Sequence, residues 1–406
     1  MITKRTFSFH YYDDRLFELC KEAGEVYTAA LKRFWQVYKE EGKWLSKFDL
    51  QKEMKGVIDR KNLCSDSFIA AMQQVHNNIA SWKQAKKIVP DAKPPWRDKF
   101  LQPIIFKEDQ IKFKDGKLRL TLDKNQNYIY LVWSPKIPIP TYARVGYNNI
   151  VGWHMDLTIE TEAPIADIDI KKGMSVDLGV KRIAALFDGD RVITLNGKKH
   201  KQIVYYRNKT NAEYMEKLSR KKDGSNNKKK LKRARRKAVE KLRNIEKDML
   251  HKESRFIEEY AKSKGIGYIV VGDNASTHDH TRMRKKDAQM VQQFPEQKLK
   301  NMLIQKHESV SGKVDVKPEP YTSQKCPCCE TKKKTSTRIY KCKNKECKFV
   351  YDRDGVGAIN IFSENVSLVE HQRIRRLARP FGIKFDDHLS FKHYAEQLSD
   401  LPNDQG

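Results

Sequence analysis

The chain has 406 residues, of which 81 are lysine or arginine and 52 are aspartate or glutamate, so its formal net charge is +29. Hydrophobic residues make up 39% of the chain and aromatic residues 10%, which suffices to form cores and excludes a disordered chain. No run approaches the roughly 20 apolar residues of a membrane helix, and the N-terminus lacks the apolar stretch of a signal peptide. The composition predicts a soluble intracellular protein of several domains whose partner is a polyanion.

The N-terminal part predicts a β-rich domain that is interrupted by helices. Alternating β-branched and aromatic residues over 2–10 predict a strand, and apolar residues then recur at helical spacing from Asp14 to about Lys87. A cluster of prolines ends this block, after which a period of two returns with Asp-Gly and Asn-rich turns. Since the first strand needs partners and the nearest candidates lie after residue 103, the helices are expected to be an insertion.

From about Lys172 the pattern changes to strands and long helices. Residues 174–195 predict two adjacent strands, and a charged helical region follows over about 211–262. Residues 217–252 hold sixteen lysines and arginines against four acids, while apolar residues recur at helical spacing. The break at 223–227 predicts a helical hairpin that faces nucleic acid, with a solvated charged face as the alternative.

Five of the seven cysteines lie between Cys326 and Cys347. Two knuckles, separated by twelve residues, bring thiolates together as a tetrahedral Zn²⁺ requires. The predicted ligands are Cys326, Cys329, Cys342 and Cys347, with Cys328 as a possible replacement for Cys329. Four thiolates leave no open coordination position, so this zinc is predicted to be structural and catalysis is expected elsewhere.

Two aspartates stand in unusual positions. Asp177 is the one carboxylate in the otherwise apolar strand SVDLGVKRIAALF, and a buried lone charge is costly unless it is paired or binds a metal. Asp354 lies in YDRDGVGAINIF at the start of a small-residue helix, where the helix dipole favours an acid. A turn or a helix cap explains either aspartate alone, and the two carry more weight together with the motifs around them.

Five motifs occur in the order seen in one family, namely VDLGVKRIAAL, a long basic helix ending in DMLHKESRFI, YIVVGDN, EPYTSQKCPCC and DRDGVGAINI. Over about residues 172–362 the chain therefore resembles TnpB, the insertion-sequence-encoded relative of the type V CRISPR effectors, to which the eukaryotic Fanzor proteins are also related. AMQQVHNNIASWKQAKK and KPPWRDKF resemble the recognition segment of the family more loosely.

The resemblance implies an α+β multidomain fold with a wedge-type β-barrel, a helical recognition insertion, an RNase H-like RuvC nuclease domain and an inserted zinc ribbon. The expected boundaries are 1–12 and 100–171 for the barrel, 13–99 for the recognition domain, 172–320 and 350–365 for the nuclease, 321–349 for the ribbon and 366–406 for a partly disordered tail.

The resemblance also implies an activity, which is RNA-guided cleavage of DNA next to a short flanking motif. The implied cofactors are two catalytic Mg²⁺ ions, which three carboxylates hold about 4 Å apart, one structural Zn²⁺ and a guide RNA derived from the end of the element. The other partner is double-stranded target DNA, no membrane is involved, and a monomer is slightly favoured. The expected location is the cytoplasm, at the nucleoid, in a prokaryote and the nucleus in a eukaryotic relative.

One departure from the family pattern concerns the middle acid. Many members carry a Glu directly after the middle strand, where this chain has Gly272 followed by Asp273. A subset with the same VVGD strand carries a Glu just before the Tyr-Thr-Ser element, and this Glu corresponds to Glu319. The implied catalytic acids and Mg²⁺ ligands are Asp177, Glu319 and Asp354, with Asp273, or the loss of cleavage, as alternatives.

Two further comparisons with the family bear on the last acid. Asp352 competes with Asp354, but only Asp354 has the family spacing to Asn360. Where the family commonly has Asn-Ala-Ala, this chain has Val-Gly-Ala at 356–358, and small residues there still permit close helix packing.

Nine basic residues of the predicted hairpin are expected to contact the RNA or heteroduplex backbone, because dense lysine and arginine without interleaved aromatic residues suit phosphates better than bases. They are Arg220, Lys221, Lys222, Lys229, Lys232, Arg233, Arg235, Arg236 and Arg243. Two other functions stay open. One is a guided DNA-binding repressor with a decayed nuclease site, and the other is a zinc-ribbon protein that binds RNA or DNA without catalysis.

Overall fold

The computed structural model describes residues 2–162, 166–273, 284–318, 322–335, 337–386, 388–389, 392–394 and 396. The chain divides into two compact units, Ile2–Glu162 and Ala163–Gly406. The sequence placed this boundary at residue 171, but the strand that begins at Asp169 pairs within the sheet of the second unit. The mixed α+β multidomain architecture predicted from the sequence is confirmed.

The first unit contains the predicted block of helices. The helices are α1 (Asp14–Glu41), α2 (Lys47–Glu53) and α3 (Ser65–Ile88). Asp13 caps α1 by accepting a hydrogen bond from the backbone N–H of Arg15 (3.1 Å), and Gly42 ends the helix with a φ of 67°. Ser46 caps α2 in the same way through the backbone N–H of Asp49 (3.2 Å).

Along the chain, the strands of the first unit lie before and after these helices. They are β1 (Ile2–His10), β2 (Ile104–Lys107), β3 (Ile111–Lys114), β4 (Lys117–Thr121), β5 (Tyr128–Val132), β6 (Tyr142–Asn148) and β7 (Gly152–Glu162). They pair antiparallel as two sheets, in the orders β1-β7-β6-β2 and β3-β4-β5. Because β1 pairs along its whole length with β7, the helices are inserted into a β-rich unit, as predicted.

The second unit is built on a six-stranded sheet. Its strands are β8 (Asp169–Leu178), β9 (Arg182–Phe187), β10 (Val192–Asn196), β11 (Ile266–Asp273), β12 (Lys313–Pro318) and β15 (Phe381–Ile383). Their order is β12-β11-β8-β9-β10-β15. Strands β8 to β10 form an antiparallel meander, while β11 is parallel to β8 and β12 is parallel to β11. This is the RNase H-like arrangement that the resemblance implies.

Helices pack around this sheet. They are α4 (Lys198–Ser219), α5 (Asn226–Ser263), α6 (Lys285–Gln293), α7 (Glu296–Glu308), α8 (Arg353–Asn365) and α9 (His371–Arg376). Helices α4 and α5 form the predicted hairpin, although α4 begins well before the expected start near residue 211. The buried side chains of α5 lie between Glu246 and Ala261, so its C-terminal half joins the core while its N-terminal half is largely exposed.

A small ribbon precedes α8. Strands β13 (Ile339–Lys341) and β14 (Val350–Asp352) pair antiparallel, and β14 leads directly into the helix. Buried Tyr340 and Phe349 of the ribbon share a core with Val356 of α8. The ribbon is thereby anchored to the helix that carries Asp354.

The described part of the segment after residue 366 includes α9 and the short strand β15. Strand β15 pairs parallel with β10, placing Ile383 beside Leu195 at the edge of the sheet. Phe385 and Tyr394 are buried in the core against Phe256. The described part of this segment therefore docks onto the second unit, and the partly disordered tail stays a prediction.

Candidate active site and nucleic-acid surface

Asp177 occupies the C-terminal end of β8. Its neighbours Val176 and Leu178 are buried in the core, whereas Asp177 itself is partly exposed. In the antiparallel ladder it lies opposite Ala185 of β9, whose small side chain leaves room above the sheet. The strand therefore presents one carboxylate at its end, as the sequence predicts.

Asp354 is the second residue of α8, and Asp352 is the N-cap of this helix. A side-chain oxygen of Asp352 accepts hydrogen bonds from the backbone N–H groups of Asp354 (3.0 Å) and Gly355 (3.2 Å). The other oxygen lies 2.8 Å from Nη2 of Arg182. The competition between the two aspartates is thereby explained, because Asp352 is used as a cap and leaves Asp354 as the acid that projects from the first turn.

Helix α8 packs on β8 at Gly357, where a larger side chain would force the Asp177 carboxylate to turn away. A Cβ atom at this position would collide with a carboxylate oxygen of Asp177. At the next residue of α8, the carbonyl oxygen of Ala358 accepts a hydrogen bond from the hydroxyl of Ser175 (2.7 Å). Because residues three apart lie on one helix face, Asp354 lies one turn from Gly357, the residue that packs against the Asp177 carboxylate.

Positive side chains surround Asp354. Nη1 of Arg338, in the ribbon, lies 2.9 Å from one carboxylate oxygen, and Nε of Arg353 lies 3.7 Å from the other. Burial, together with the positive charges of Lys181 and Arg338, lowers the pKa of Lys201, whereas Asp354 raises it. A phosphate that approaches Asp354 therefore meets an electropositive surface.

The third predicted acid, Glu319, lies outside the described residues. Strand β12, which leads to it, is parallel to β11, and its last residue Pro318 pairs with Asp273. Since β11 is in turn parallel to β8, the C-terminal ends of β8, β11 and β12 lie at the same end of the sheet, where Asp177 is located. The role of Glu319 stays a prediction.

Asp273, the alternative third acid, is engaged by a cation. Its Oδ1 lies 3.0 Å from Nζ of Lys300, whose side chain is 9% exposed. Glu296, one turn earlier on α7, has a raised pKa, chiefly because it is buried and also because Asp273 is near, while Lys300 has the opposite effect. Asp273 is therefore ion-paired with α7, as Asp354 is ion-paired with Arg338, and the choice of third ligand stays a prediction.

The four predicted zinc ligands form one cluster. The sulfur atoms of Cys326, Cys329, Cys342 and Cys347 all lie within 4.8 Å of one another, with 3.7 Å between Cys326 and Cys347 and 3.5 Å between Cys329 and Cys342. Tetrahedral Zn²⁺ with four thiolates at 2.3 Å separates its sulfurs by about 3.8 Å, so the cluster fits this ion. Cys328 is buried and is not one of the four.

The predicted basic residues lie along the exposed part of the α4–α5 hairpin. Eight of the nine are exposed, and Arg235 is partly buried with Nη1 2.8 Å from the sulfur of Met215. Arg220 pairs with Glu216, and Arg243 lies 3.4 Å from Glu240. The remaining exposed cations form a surface with an excess of positive charge, which suits a phosphate backbone.

Several residues at this site have no marker in the sequence. Arg338 reaches Asp354 from the ribbon, and Arg182 holds the cap residue Asp352. Lys300 reaches Asp273 from a helix that the sequence identifies only as helical. Each depends on tertiary packing between distant segments, and charged residues are too frequent in this chain to stand out.

Two family models match the chain. One, described as "Probable transposase" (OrfB_IS605), matches residues 156–277, and the other, described as "Cas12f1-like, TNB domain", matches residues 297–361. Together they include the strand of Asp177, the basic hairpin, the cysteine cluster and Asp354. No curated protein matches the sequence at a significant level.

The fold is similar to that of one solved Cas12f1 complex. A chain of the "Cryo-EM structure of the Cas12f1-sgRNA-target DNA complex" aligns with a TM-score of 0.62 and 13% identity, over 85% of this chain and 81% of that one. A chain of the "Cryo-EM structure of CRISPR-Cas12f Ternary Complex" aligns over 85% and 80% at 13% identity, with a TM-score of 0.38 that is too low to carry a conclusion.

The family models and the shared fold confirm the relation that the motifs predict. The chain is related to the TnpB transposon proteins and to the type V effectors. None of the described helices is long and apolar enough to cross a membrane.

Proposed function

We propose that this protein is an RNA-guided DNA endonuclease of a transposable element, which cleaves DNA complementary to its guide RNA beside a short flanking motif. The observation that carries the proposal is that α8, the helix of Asp354, packs on β8 with Gly357 against the carboxylate of Asp177. A protein that only binds nucleic acid has no use for two such carboxylates. The family relation, and the guide RNA and target DNA bound to the similar Cas12f1, point the same way.

Asp177, Asp354 and Glu319 are the residues that would hold Mg²⁺. Carboxylate oxygens are the donors that this hard cation prefers. When bound, a pair of Mg²⁺ ions would supply an activated water and stabilise the leaving 3′ oxygen. The described part of the site places one carboxylate on a strand and one on a helix, and such rigid elements preserve their relative position.

The residues around the carboxylates would help to bind the substrate. Arg338 and Lys201 lie beside Asp354 and supply positive charge for the phosphate of the strand to be cut. The ribbon that carries Arg338 is held in shape by the cysteine cluster, so the structural zinc supports the site without taking part in the chemistry. The first unit corresponds to the proposed wedge and recognition domains, and the second to the nuclease and ribbon.

One observation favours a second candidate, a guided DNA-binding repressor that does not cleave. The position at which many relatives carry a Glu is Gly272, near the end of β11, and the adjacent Asp273 is paired with Lys300. If Glu319 does not complete the site, guided binding would survive without hydrolysis. Asp177 and Asp354 are both retained, which favours the nuclease.

The proposal is tested with the full chain expressed beside its native flanking sequence. We expect a defined RNA to copurify, and we expect the complex to cut a plasmid that carries the matched target beside randomised bases. Cleavage should need Mg²⁺, stop with EDTA and be absent for a mismatched target. Tight guided binding without cleavage at any flanking sequence would establish the repressor, and the absence of bound RNA would refute both guided functions.

We expect the basic hairpin to set the salt dependence of RNA binding. Replacing Arg233 and Arg236 with alanine should reduce the slope of log K against log salt by about 1.4, because each phosphate contact to a single strand contributes about 0.7. The measurement is filter binding of the copurified RNA between about 50 and 200 mM salt. Lys247→Ala with Arg255→Ala removes the same charge from the other half of α5 and should leave the slope unchanged. Equal slopes for the two double variants would indicate that the cations of the hairpin face solvent and do not contact the RNA.

A further inference from the structure

The sulfur atoms of the cysteine cluster have hydrogen-bonding groups around them. The hydroxyl oxygen of Thr331 lies 3.3 Å from the sulfur of Cys329, and the backbone N–H of Asn344 donates a hydrogen bond to the sulfur of Cys342 (3.4 Å). Both groups are uncharged and lie two residues from the cysteine that they contact. Such groups orient the ligands of a metal ion and adjust how strongly the ion is held.

One donor to the cluster is charged and belongs to a distant segment. Nη2 of Arg375, on α9, donates a hydrogen bond to the sulfur of Cys347 (3.8 Å), which is 28 positions away in the sequence. The same guanidinium also interacts with the thiol of Cys328, which is not one of the four clustered sulfurs. Among the described residues, no carboxylate forms an ion pair with Arg375, so the cysteines are the acceptors for its charge.

Helix α9 is fixed both to the ribbon and to the sheet. Buried Ile374 belongs to the core that the ribbon shares with α8, and the hydroxyl of Tyr351 in β14 donates a hydrogen bond to the backbone just after α9 (2.7 Å). Arg373 pairs with Asp190 in the turn between β9 and β10. These contacts keep Arg375 where its guanidinium reaches the cluster.

A positive charge at this position has a physical use. Four thiolates around one Zn²⁺ ion leave two negative charges uncompensated, and a hydrogen bond from a cation is about twice as strong as one from a neutral donor. We propose that Arg375 compensates part of this negative charge, so that α9 completes the zinc site from outside the ribbon. The inference goes beyond the proposed function, because it concerns the retention of zinc and not cleavage.

Zinc affinity of the full-length protein, measured by competition with a chelating dye, tests this role. Arg375→Met keeps an unbranched side chain and removes the charge, and it should weaken zinc binding at least about tenfold. Arg375→Lys keeps the charge and should recover part of this loss. Arg376→Met is the matched control, because Arg376 is the exposed neighbour on α9 and makes no hydrogen bond to a sulfur in the described part of the chain.

Two further measurements separate a role of the charge from a role in packing. The difference between wild type and Arg375→Met should shrink between about 0.1 and 1 M salt, because the screening length falls from about 10 to 3 Å. Protein loaded with Co²⁺ in place of Zn²⁺ should keep its sulfur-to-metal absorption band in Arg375→Met, since all four thiolates remain.

Three results would overturn the inference. They are unchanged zinc affinity in Arg375→Met, an equal loss in Arg376→Met, and a loss that neither Arg375→Lys nor salt alters, which would assign Arg375 to packing alone. A wild-type protein that binds no zinc would refute it together with the zinc site. Because zinc affinity is measured without nucleic acid, each of these results leaves guided cleavage to be judged by its own assay.

Discussion

Alanine at Asp177 or at Asp354 should reduce Mg²⁺-dependent cleavage of a guide-matched duplex to background while guided binding stays nearly intact. Each carboxylate is a proposed metal ligand on its own rigid element, and the loss of one ligand misplaces the activated water or the leaving group. The measurement is single-turnover cleavage alongside gel-shift binding of the same target. Asp169→Ala removes an aspartate from the opposite end of β8 and should leave both quantities unchanged.

A more specific form of this prediction uses Gly357, which has no chemistry of its own. Gly357→Ala retains every carboxylate but places a methyl group where the Asp177 carboxylate lies. A displacement of this kind typically costs about a hundredfold in rate, so we expect a loss of at least that size with normal DNA binding. Gly382→Ala, where the nearest atom to the new methyl group would be the hydroxyl of Thr194 at 3.8 Å, is the matched control. Full activity in Gly357→Ala would contradict the packing of Gly357 against the Asp177 carboxylate.

The same cleavage assay tests which residue is the third acidic ligand of the site. Glu319→Ala should abolish cleavage, whereas Asp273→Ala should have a mild effect, because under this assignment the Asp273 carboxylate is not a metal ligand. The opposite result, with activity retained in Glu319→Ala and lost in Asp273→Ala, would move the site to Asp273. Binding measured in parallel separates either outcome from a general loss of folding.

Removal of the cysteine cluster should have the second largest effect. Cys326→Ser or Cys342→Ser leaves an incomplete coordination shell, so we expect loss of stoichiometric zinc and a fall in melting temperature of roughly 5–10 °C. Cleavage should fall as well, because Arg338 of the ribbon lies 2.9 Å from Asp354. Metal analysis of the purified protein and thermal melting are the measurements.

Cys328 provides the control within the same knuckle. It is buried but outside the group of four sulfurs, so Cys328→Ser should retain zinc. Zinc loss in Cys328→Ser, with zinc retained in Cys329→Ser, would mean that the two neighbouring thiols have been assigned the wrong way round. A protein that contains no zinc, and whose melting is unchanged by Cys326→Ser and Cys342→Ser, would refute the site.

The features that could be predicted from the sequence are those that depend on local pattern. A single acid in an apolar strand identified Asp177, and cysteine spacing identified the cluster, because both leave a record within a few residues. The turn of the basic hairpin was found for the same reason. The choice between Asp352 and Asp354 relied on family spacing, and the structure adds the physical reason, which is the cap.

The features that escaped prediction depend on contacts between distant segments. Strand β15 has three residues, too few to show a period, and it forms only because the edge of β10 is available. The start of α4 was missed because buried Ile203 and Val204 are followed by two exposed tyrosines, a run without a clear helical period. The pairing of Lys300 with Asp273 joins residues 27 positions apart and has no counterpart in the local pattern.

The position of β15 has a consequence for synthesis of the protein. Strand β10 is complete at Asn196, but its outer neighbour begins only at Phe381. At about 5 to 20 residues per second, the ribosome needs roughly 10 to 40 s to make the intervening chain, and throughout this time the β10 edge has no strand beside it. An open edge of this kind invites pairing with other chains, so the nascent protein is most exposed to aggregation in that interval. Slower translation, or an early stop before Phe381, should therefore lower the yield of soluble protein.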